Sequence, residues 1–160
     1  AVEEQKAKLA GISEEKIKSS RLPPPSIDLP LPAYIPEDYI PDLITRLGLY
    51  QKLVKLERVE QLEPIAQEFN DRFGLPPPEV ENLLYAVKIK VLAAKAGIES
   101  ITTEHGEIVL SLFEGMRFDR QKLEPFFKYG VITPYQVRLH PTRLGKDWQK
   151  VLEEVVRNIT

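Results

Sequence analysis

Proline constrains the folding of this chain more than any other residue type. Seven of its 14 prolines lie between residues 22 and 41, in the segment LPPPSIDLPLPAYIPEDYIP. Because proline lacks an amide hydrogen and its ring blocks helical backbone, this segment must be extended. Its apolar residues alternate along the segment, at Ile27, Leu29, Leu31, Ala33 and Ile35. The alternation predicts an edge strand that lies on the domain, rather than a free linker.

Three helices are predicted between this segment and Gly97. The first carries apolar residues at helical spacing, at Ile40, Leu43, Ile44, Leu47, Tyr50 and Val54. The second carries Val59, Leu62, Ala66, Phe69 and Phe73 and ends at Gly74. The third opens at Pro78, where a missing amide hydrogen costs nothing, and closes at Gly97. Pro64 falls inside the second pattern, so that helix must start late or kink.

The sequence NDRFGLPPPEVENLL, residues 70 to 84, joins the second and third helices. Gly74 lets the chain turn with left-handed backbone, and Pro76 to Pro78 stiffen the exit. The segment from 73 to 79 has a length common between antiparallel helices. It therefore predicts a fixed corner between two helices.

The pattern changes after Gly97 to short, β-favouring runs. IESITT and EIVLSLF, joined by EHGE, predict a hairpin. Asp119 can cap a short helix that runs through Tyr129, and residues 135–139 alternate as a strand. A final amphipathic helix carries Trp148, Val151, Leu152, Val155 and Ile159. This order predicts an α+β domain, with a small antiparallel sheet packed against several helices.

Composition and charge narrow the function classes. The chain has 160 residues, no Cys and a formal net charge of -2. Disulfides and thiolate chemistry are excluded, and a dedicated nucleic-acid domain would normally be basic. No apolar run is long enough for a membrane helix, and the charged start is no signal peptide. We expect a cytoplasmic protein with no membrane contact, and Ala1, which is not Met, is expected to lie inside a longer polypeptide.

No combination of residues points to catalysis, a cofactor or a metal. The two histidines, His105 and His140, are expected to be exposed in turns, without the further ligands that a metal site needs. All eight glycines are isolated, so there is no phosphate-binding loop. The chain is therefore expected not to be an enzyme and to hold no cofactor.

The polar face of the second helix allows two interpretations. Between residues 57 and 73 it carries five acids and two bases. Glu68, Asp71 and Arg72 lie within one turn and are expected to cluster on one exposed edge. The simpler interpretation is a solvated face with an i,i+4 pair between Glu68 and Arg72. The functional interpretation is an acidic docking edge for a basic partner.

A different class of function would use the basic residues. Six cationic side chains are candidates for phosphate contacts: Lys88, Lys90, Lys95, Arg138, Arg143 and Lys146. They fit a nucleic-acid-contacting accessory domain of a helicase-like protein. Ordinary solubilising charge is the simpler explanation, because the overall balance is acidic.

Several motifs occur together in the order of a known family. The stretch LPLPAYIPEDYIPDLITRLGLYQKL resembles the start of the C-terminal domain of the bacterial transcription-repair coupling factors, the Mfd proteins. DRFG with its proline-rich corner and NLL, and the Lys-rich helix closing with AGI, also resemble this domain. The resemblance runs from Ile27 to Ile101 and is weaker from 102 to 160. ERVEQLEP departs from the family, which has a Ser/Thr-led helix there.

The resemblance implies a division of the chain and a function. Residues 1–26 would be a linker or helix leaving the preceding motor domain, and residues 27–160 a C-terminal regulatory domain. The whole protein would be an ATP-driven DNA translocase that displaces stalled RNA polymerase and recruits excision repair. The domain would pack intramolecularly on the UvrB-like module, mask the UvrA-binding surface and restrain the motor.

The resemblance also favours the docking interpretation of the acidic helix. The family's acidic contacts lie in the helix that ends in DRFG, at the positions of Glu68 and Asp71 here. Arg72 is adjacent to Asp71, and two roles stay open for it: an interdomain contact or local pairing. UvrA, RNA polymerase and DNA would then be indirect partners, reached through the parent protein.

Overall fold

The computed structural model describes residues 23–159. Within them the α-helices are α1 (Leu43–Val54), α2 (Leu62–Phe73), α3 (Pro78–Ala96), α4 (Pro141–Leu144) and α5 (Trp148–Ile159). The strands are β1 (Ser26–Ile27), β2 (Ile98–Glu104), β3 (Glu107–Leu112), β4 (Gly130–Ile132) and β5 (Gln136–Leu139). Short 3-10 helices cover Val59–Gln61, Glu124–Tyr129 and Gly145–Asp147. The predicted α+β class is confirmed.

The five strands form one sheet in the order β1-β2-β3-β5-β4. The predicted hairpin is β2 and β3, and the pair Glu104 and Glu107 closes its turn. The two turn residues, His105 and Gly106, have φ angles of 52° and 79°. This left-handed backbone gives the twist that a two-residue hairpin needs. The β3–β5 and β4–β5 pairs are also antiparallel.

The predicted edge strand from Ile27 to Ile35 is confirmed only at Ile27, in the two-residue β1, and β1 runs parallel to its neighbour. Ser26 and Ile27 pair with Ser100 and Ile101 of β2. The pairing continues for one residue, because the Asp28 amide donates to the Ile101 carbonyl at 2.8 Å. The expected antiparallel sheet is therefore wrong for this pair. The chain between β1 and β2 passes through three helices, and a crossover of that length can return a strand in the same direction.

Two hydrophobic clusters fill the domain, and α3 contributes to both. The larger cluster lies under the sheet and includes Ile89, Leu92 and Ala93 of α3. The smaller one lies among the helices and buries Ile35, Ile40, Leu49, Leu53, Leu62, Ile65, Phe69 and Val80. Val80 is in the first turn of α3, so one helix spans both clusters.

α1 buries a different face from the one predicted. Leu49 and Leu53 are its buried residues. Leu43, Ile44, Leu47 and Val54, which were expected in the core, are exposed. Apolar residues occur on more than one side of this helix, so periodicity alone does not decide which side packs. Tertiary contacts with Ile40 and α2 determine which side of α1 is buried.

The sequence Leu-Glu-Pro occurs twice, at residues 62–64 and 123–125, and a helical segment starts at each. α2 begins at Leu62, so Pro64 lies in its first turn, and the predicted late start is confirmed. The helix predicted from Asp119 is regular only over Glu124–Tyr129, again with the proline near its start. Asp119 Oδ1 accepts the Gln121 amide at 3.0 Å and caps the preceding turn. β4 was not predicted, because three residues are too short for a pattern.

α5 confirms the predicted final helix and packs on α3. Its buried residues are Leu152, Val155 and Val156. Tyr85 of α3 donates its hydroxyl to the Gln149 carbonyl at 2.5 Å. Glu153 accepts Lys88 of α3 at 2.8 Å. Polar contacts thus border the apolar seam between the two helices.

The predicted domain boundary between residues 26 and 27 falls within β1. The rest of the predicted linker, residues 1–22, lies outside the described residues. Among the helices from residue 23 onward, none is long and apolar enough to cross a membrane.

A substitution at Gly130 tests how closely β4 approaches β5. Its backbone lies so close to β5 that a Cβ would overlap the Arg138 carbonyl oxygen. We expect Gly130→Ala to lower the free energy of unfolding by about 2 kcal/mol or more, since the strands must separate. Urea unfolding followed by circular dichroism measures the change.

Gly48→Ala is the matched control, because no atom lies within 4 Å of a Cβ at this position of α1. Replacing a glycine inside a helix should raise the free energy of unfolding by about 0.5–1 kcal/mol. Equal effects of the two substitutions would contradict the close approach of β4 to β5.

Candidate functional site

The predicted docking edge lies on the second half of α2. Glu68 is not a free carboxylate there, because it accepts hydrogen bonds from two cations. Lys52 Nζ of α1 lies 3.0 Å from Oε1 and 3.2 Å from Oε2. Arg72 Nη1 lies 2.6 Å from Oε2. Glu68 therefore ties α2 to α1, in addition to forming the predicted i,i+4 pair.

These contacts change the charge of the edge. The hydrogen bond from Lys52, followed by that from Arg72, holds the pKa of Glu68 below its usual value. Both cations are about half exposed, at 54% and 51% of their side chains, so solvent weakens the attraction. With Lys52 included, the edge holds two acids and two bases. These four side chains together carry no net charge.

Asp71 differs from Glu68 in its surroundings. It is exposed, and no described residue forms an ion pair or hydrogen bond with its carboxylate. Arg72 is held locally, since its guanidinium also lies 4.8 Å from the centre of the Phe73 ring. Asp71 is consequently the member of the predicted trio whose charge is available to a partner.

The C-terminal end of α2, which carries the edge, is held in place by Tyr39. The Tyr39 hydroxyl lies 3.1 Å from the Phe69 carbonyl and 2.7 Å from the Gly74 carbonyl. The Tyr39 ring packs near Phe69 and Phe73, with ring centres 6.4 and 6.0 Å away. Burial raises the pKa of Tyr39, which keeps the hydroxyl protonated as a donor. The proline-rich segment thereby fastens the end of α2.

The corner after α2 has the predicted form. Gly74 has φ 89° and ψ -175°, a conformation that side chains rarely allow. Its amide donates to the Asn70 carbonyl at 3.1 Å, which closes the helix. α3 then starts with Pro78 in its first turn. The glycine ends one helix, and the prolines set the direction of the next.

The other candidate residues do not form a site. His105 is exposed in the hairpin turn, as predicted. The prediction that His140 is also exposed is wrong. His140 is half-buried, with Nδ1 3.1 Å from Glu107 Oε2. Over residues 23–159, no three His, Asp or Glu side chains are grouped as metal ligands would be.

The candidate phosphate contacts are partly neutralised. Lys88 pairs with Glu153 at 2.8 Å, and Arg138 pairs with Glu104 at 3.2 Å. Two of the six cations are thus held by carboxylates of the domain itself. Nothing in this arrangement favours nucleic-acid contact over ordinary surface charge.

This chain is similar in sequence to known proteins over most of its length. The family model of the TRCF domain matches residues 29–123. This chain belongs to the transcription-repair coupling factor family. A transcription-repair-coupling factor of Staphylococcus haemolyticus is 39% identical over 157 residues, covering 92% of this chain. That of Escherichia coli is 31% identical over 121 residues, or 74% of this chain.

The fold is also that of a solved member of the family. The crystal structure of the C-terminal domain of a transcription-repair coupling factor matches with a TM-score of 0.64 and 22% identity. The match covers 84% of this chain and 89% of the solved one. The chain spans 13% of the length of the Staphylococcus haemolyticus protein and 10% of the Escherichia coli protein. It corresponds to one domain of those proteins.

Removal of the Tyr39 hydroxyl tests the fastening of α2. We expect Tyr39→Phe to lower the free energy of unfolding by about 1–2 kcal/mol, because the one hydroxyl donor that two carbonyls share is lost while the ring packing remains. Urea unfolding measures the effect. Tyr135→Phe is the control, since Tyr135 is 61% exposed. A Tyr39 effect no larger than this control would show that the hydroxyl does not hold the helix end.

Glu68 should also make stability depend on pH. Its pKa is lowered in the folded state, so its contribution is full above the unfolded pKa of about 4.3 and is lost as pH falls through the folded pKa. We expect Glu68→Gln to lower the free energy of unfolding by less than about 1 kcal/mol at pH 7. This difference from wild type should shrink as pH falls below the unfolded pKa of about 4.3.

Urea unfolding at several pH values measures the difference. Glu63→Gln, on an exposed position of the same helix, controls for the loss of one negative charge. A Glu68→Gln difference that stays constant down to pH 3 would contradict the two hydrogen-bonded ion pairs.

Proposed function

We propose that this chain is a non-catalytic, autoinhibitory domain of a transcription-repair coupling factor. It packs on the UvrB-like module of its own polypeptide, masks the surface that binds UvrA and restrains the DNA translocase motor. The observation that carries the proposal is the position of Asp71 and Glu68 in the helix ending in DRFG, within a chain of this family. The parent acts in the cytoplasm, where it meets DNA, RNA polymerase and UvrA.

The chemistry of the edge suits a contact that must open. An autoinhibitory interface has to release when the parent meets its target, so it should be small and polar. Asp71, Glu68 and Arg72 give such a surface, with no net charge once Lys52 is included. Attachment within one polypeptide supplies a high effective concentration, so a weak contact is sufficient.

The three residues have different parts in the proposed contact. Asp71, whose carboxylate has no partner among residues 23–159, offers it to a basic residue of the UvrB-like module. Glu68 can accept such a residue only by sharing or exchanging Lys52 or Arg72. Arg72, already held by Glu68 and Phe73, fixes the position of the Glu68 carboxylate. Charged pairs of this kind set the orientation of docking more than its strength.

Asp71→Ala in the full-length parent protein tests the proposal. Loss of one charge pair should weaken the closed state, and we expect UvrA to bind about tenfold more tightly, equivalent to about 1.4 kcal/mol. Titration of UvrA with the purified parent measures the affinity. Asp71 is the preferred position, because Glu68→Ala would also leave Lys52 and Arg72 without their acceptor.

Glu63→Ala is the matched control, because it removes an exposed acid from the same helix. It should leave UvrA binding unchanged. Wild-type UvrA affinity of a correctly folded Asp71→Ala protein would refute the assignment of this edge. Equal tightening by both substitutions would instead indicate a general effect of charge, and would also refute it.

A further inference from the structure

A pocket lies beside the corner, between the proline-rich segment and the start of α3. It encloses about 340 Å³ and is lined by Tyr34, Pro36, Asp38, Tyr39, Leu75, Pro77 and Glu79. Neither Glu68, Asp71 nor Arg72 is among these residues. The pocket is thus distinct from the docking edge, and binding in it does not depend on the proposed function.

The walls of this corner pocket are fixed by the fold. The Tyr34 amide donates to the Glu79 carbonyl at 3.3 Å, which joins the two sides. Tyr39 is held at its hydroxyl by the Gly74 carbonyl and at its amide by the Pro36 carbonyl, 3.2 Å away. Prolines form much of the remaining wall. A preformed pocket loses little conformational freedom when it binds a ligand.

Two carboxylates give the pocket its charge. Glu79 Oε2 is buried, and no donor among residues 23–159 lies within hydrogen-bonding distance of it. A buried carboxylate oxygen without a donor is costly, so positive charge beside the Glu79 carboxylate would be stabilised. Asp38 adds a second, exposed carboxylate, while no basic side chain among residues 23–159 lines the pocket. The pocket is therefore complementary to positive charge.

The other lining groups indicate which cation fits. The faces of tyrosine rings attract cations, and Tyr34 is 49% exposed. Leu75, 85% exposed, and the prolines offer apolar surface to an aliphatic chain. No group of three His, Asp or Glu side chains among residues 23–159 is arranged to hold a metal ion. A planar guanidinium on a three-carbon stem matches carboxylates, rings and apolar wall together.

We propose that the corner pocket binds the side chain of an arginine presented by a partner polypeptide. The guanidinium donates to Glu79 and Asp38 and lies against a tyrosine ring, and its stem covers Leu75. The positive charge of the guanidinium offsets the cost of burying Glu79 Oε2 without a donor. This site adds specificity for an arginine at a defined place beside the corner.

Binding of a small arginine derivative to the whole 160-residue chain tests this site. The probe is N-acetyl-arginine methylamide, added during ¹⁵N–¹H correlation NMR. We expect saturable shifts of the Tyr34, Asp38, Leu75 and Glu79 amides. The neutral analogue N-acetyl-citrulline methylamide has nearly the same shape and should bind about tenfold more weakly, because it lacks the charge.

Substitutions locate the binding within the pocket. Glu79→Gln and Asp38→Asn should each weaken arginine binding by about fivefold or more, since charged hydrogen bonds are replaced by neutral ones. Glu63→Gln, which removes an exposed acid outside the pocket, should leave binding unchanged. Asp38 is exposed, so Asp38→Asn keeps the test valid if Glu79→Gln fails to fold.

Three results would overturn the proposal. The first is the absence of saturable shifts at the four pocket amides. The second is equal binding of the arginine and citrulline derivatives. The third is an effect of Glu63→Gln as large as that of the pocket substitutions, which would indicate attraction to the acidic surface as a whole.

Discussion

The packing of α3 against both hydrophobic clusters is the constraint on which the rest of the structure depends. Its first turn places Val80 among the helices, and its second half places Ile89 and Leu92 under the sheet. Because a single rigid helix belongs to both clusters, the helical layer and the sheet cannot shift independently. The proline corner sets where α3 begins. The end of α2 and the pocket beside it are therefore held in a fixed relation to the sheet.

The polar contacts follow from this frame. α1 and α2 bury Leu49, Leu53 and Phe69 against each other, which brings Lys52 to Glu68. An acid on the surface of α2 thus becomes part of the link between two helices. A partner at this edge would meet charges that already have internal partners, so docking would exchange ion pairs. Such an exchange of ion pairs fixes the orientation of the docked partner and leaves the contact easily reversible.

Local signals predicted much of the fold, and non-local contacts account for what was missed. Gly74, Gly97 and Pro78 mark helix ends through the backbone of a few neighbouring residues, so α2 and α3 were predicted correctly. The hairpin around His105 was predicted for the same reason. The parallel β1 pair, the buried face of α1 and the partner of His140 depend on residues far apart in sequence. The sequence predicts the i,i+4 pair of Glu68 and Arg72 but not the contact of Lys52 with Glu68, because nothing in the sequence aligns α1 with α2.

The short β1 strand has a mechanical consequence. Two residue pairs join it to β2, whereas the β2–β3 hairpin has six. Tension applied to the chain ahead of Pro23 reaches β1 before any other element of the sheet. The strand with fewer hydrogen bonds yields first, and the load then falls on Leu29, which is buried under the sheet. A pull from that side would peel the edge of the sheet while the hairpin and α3 remain in place.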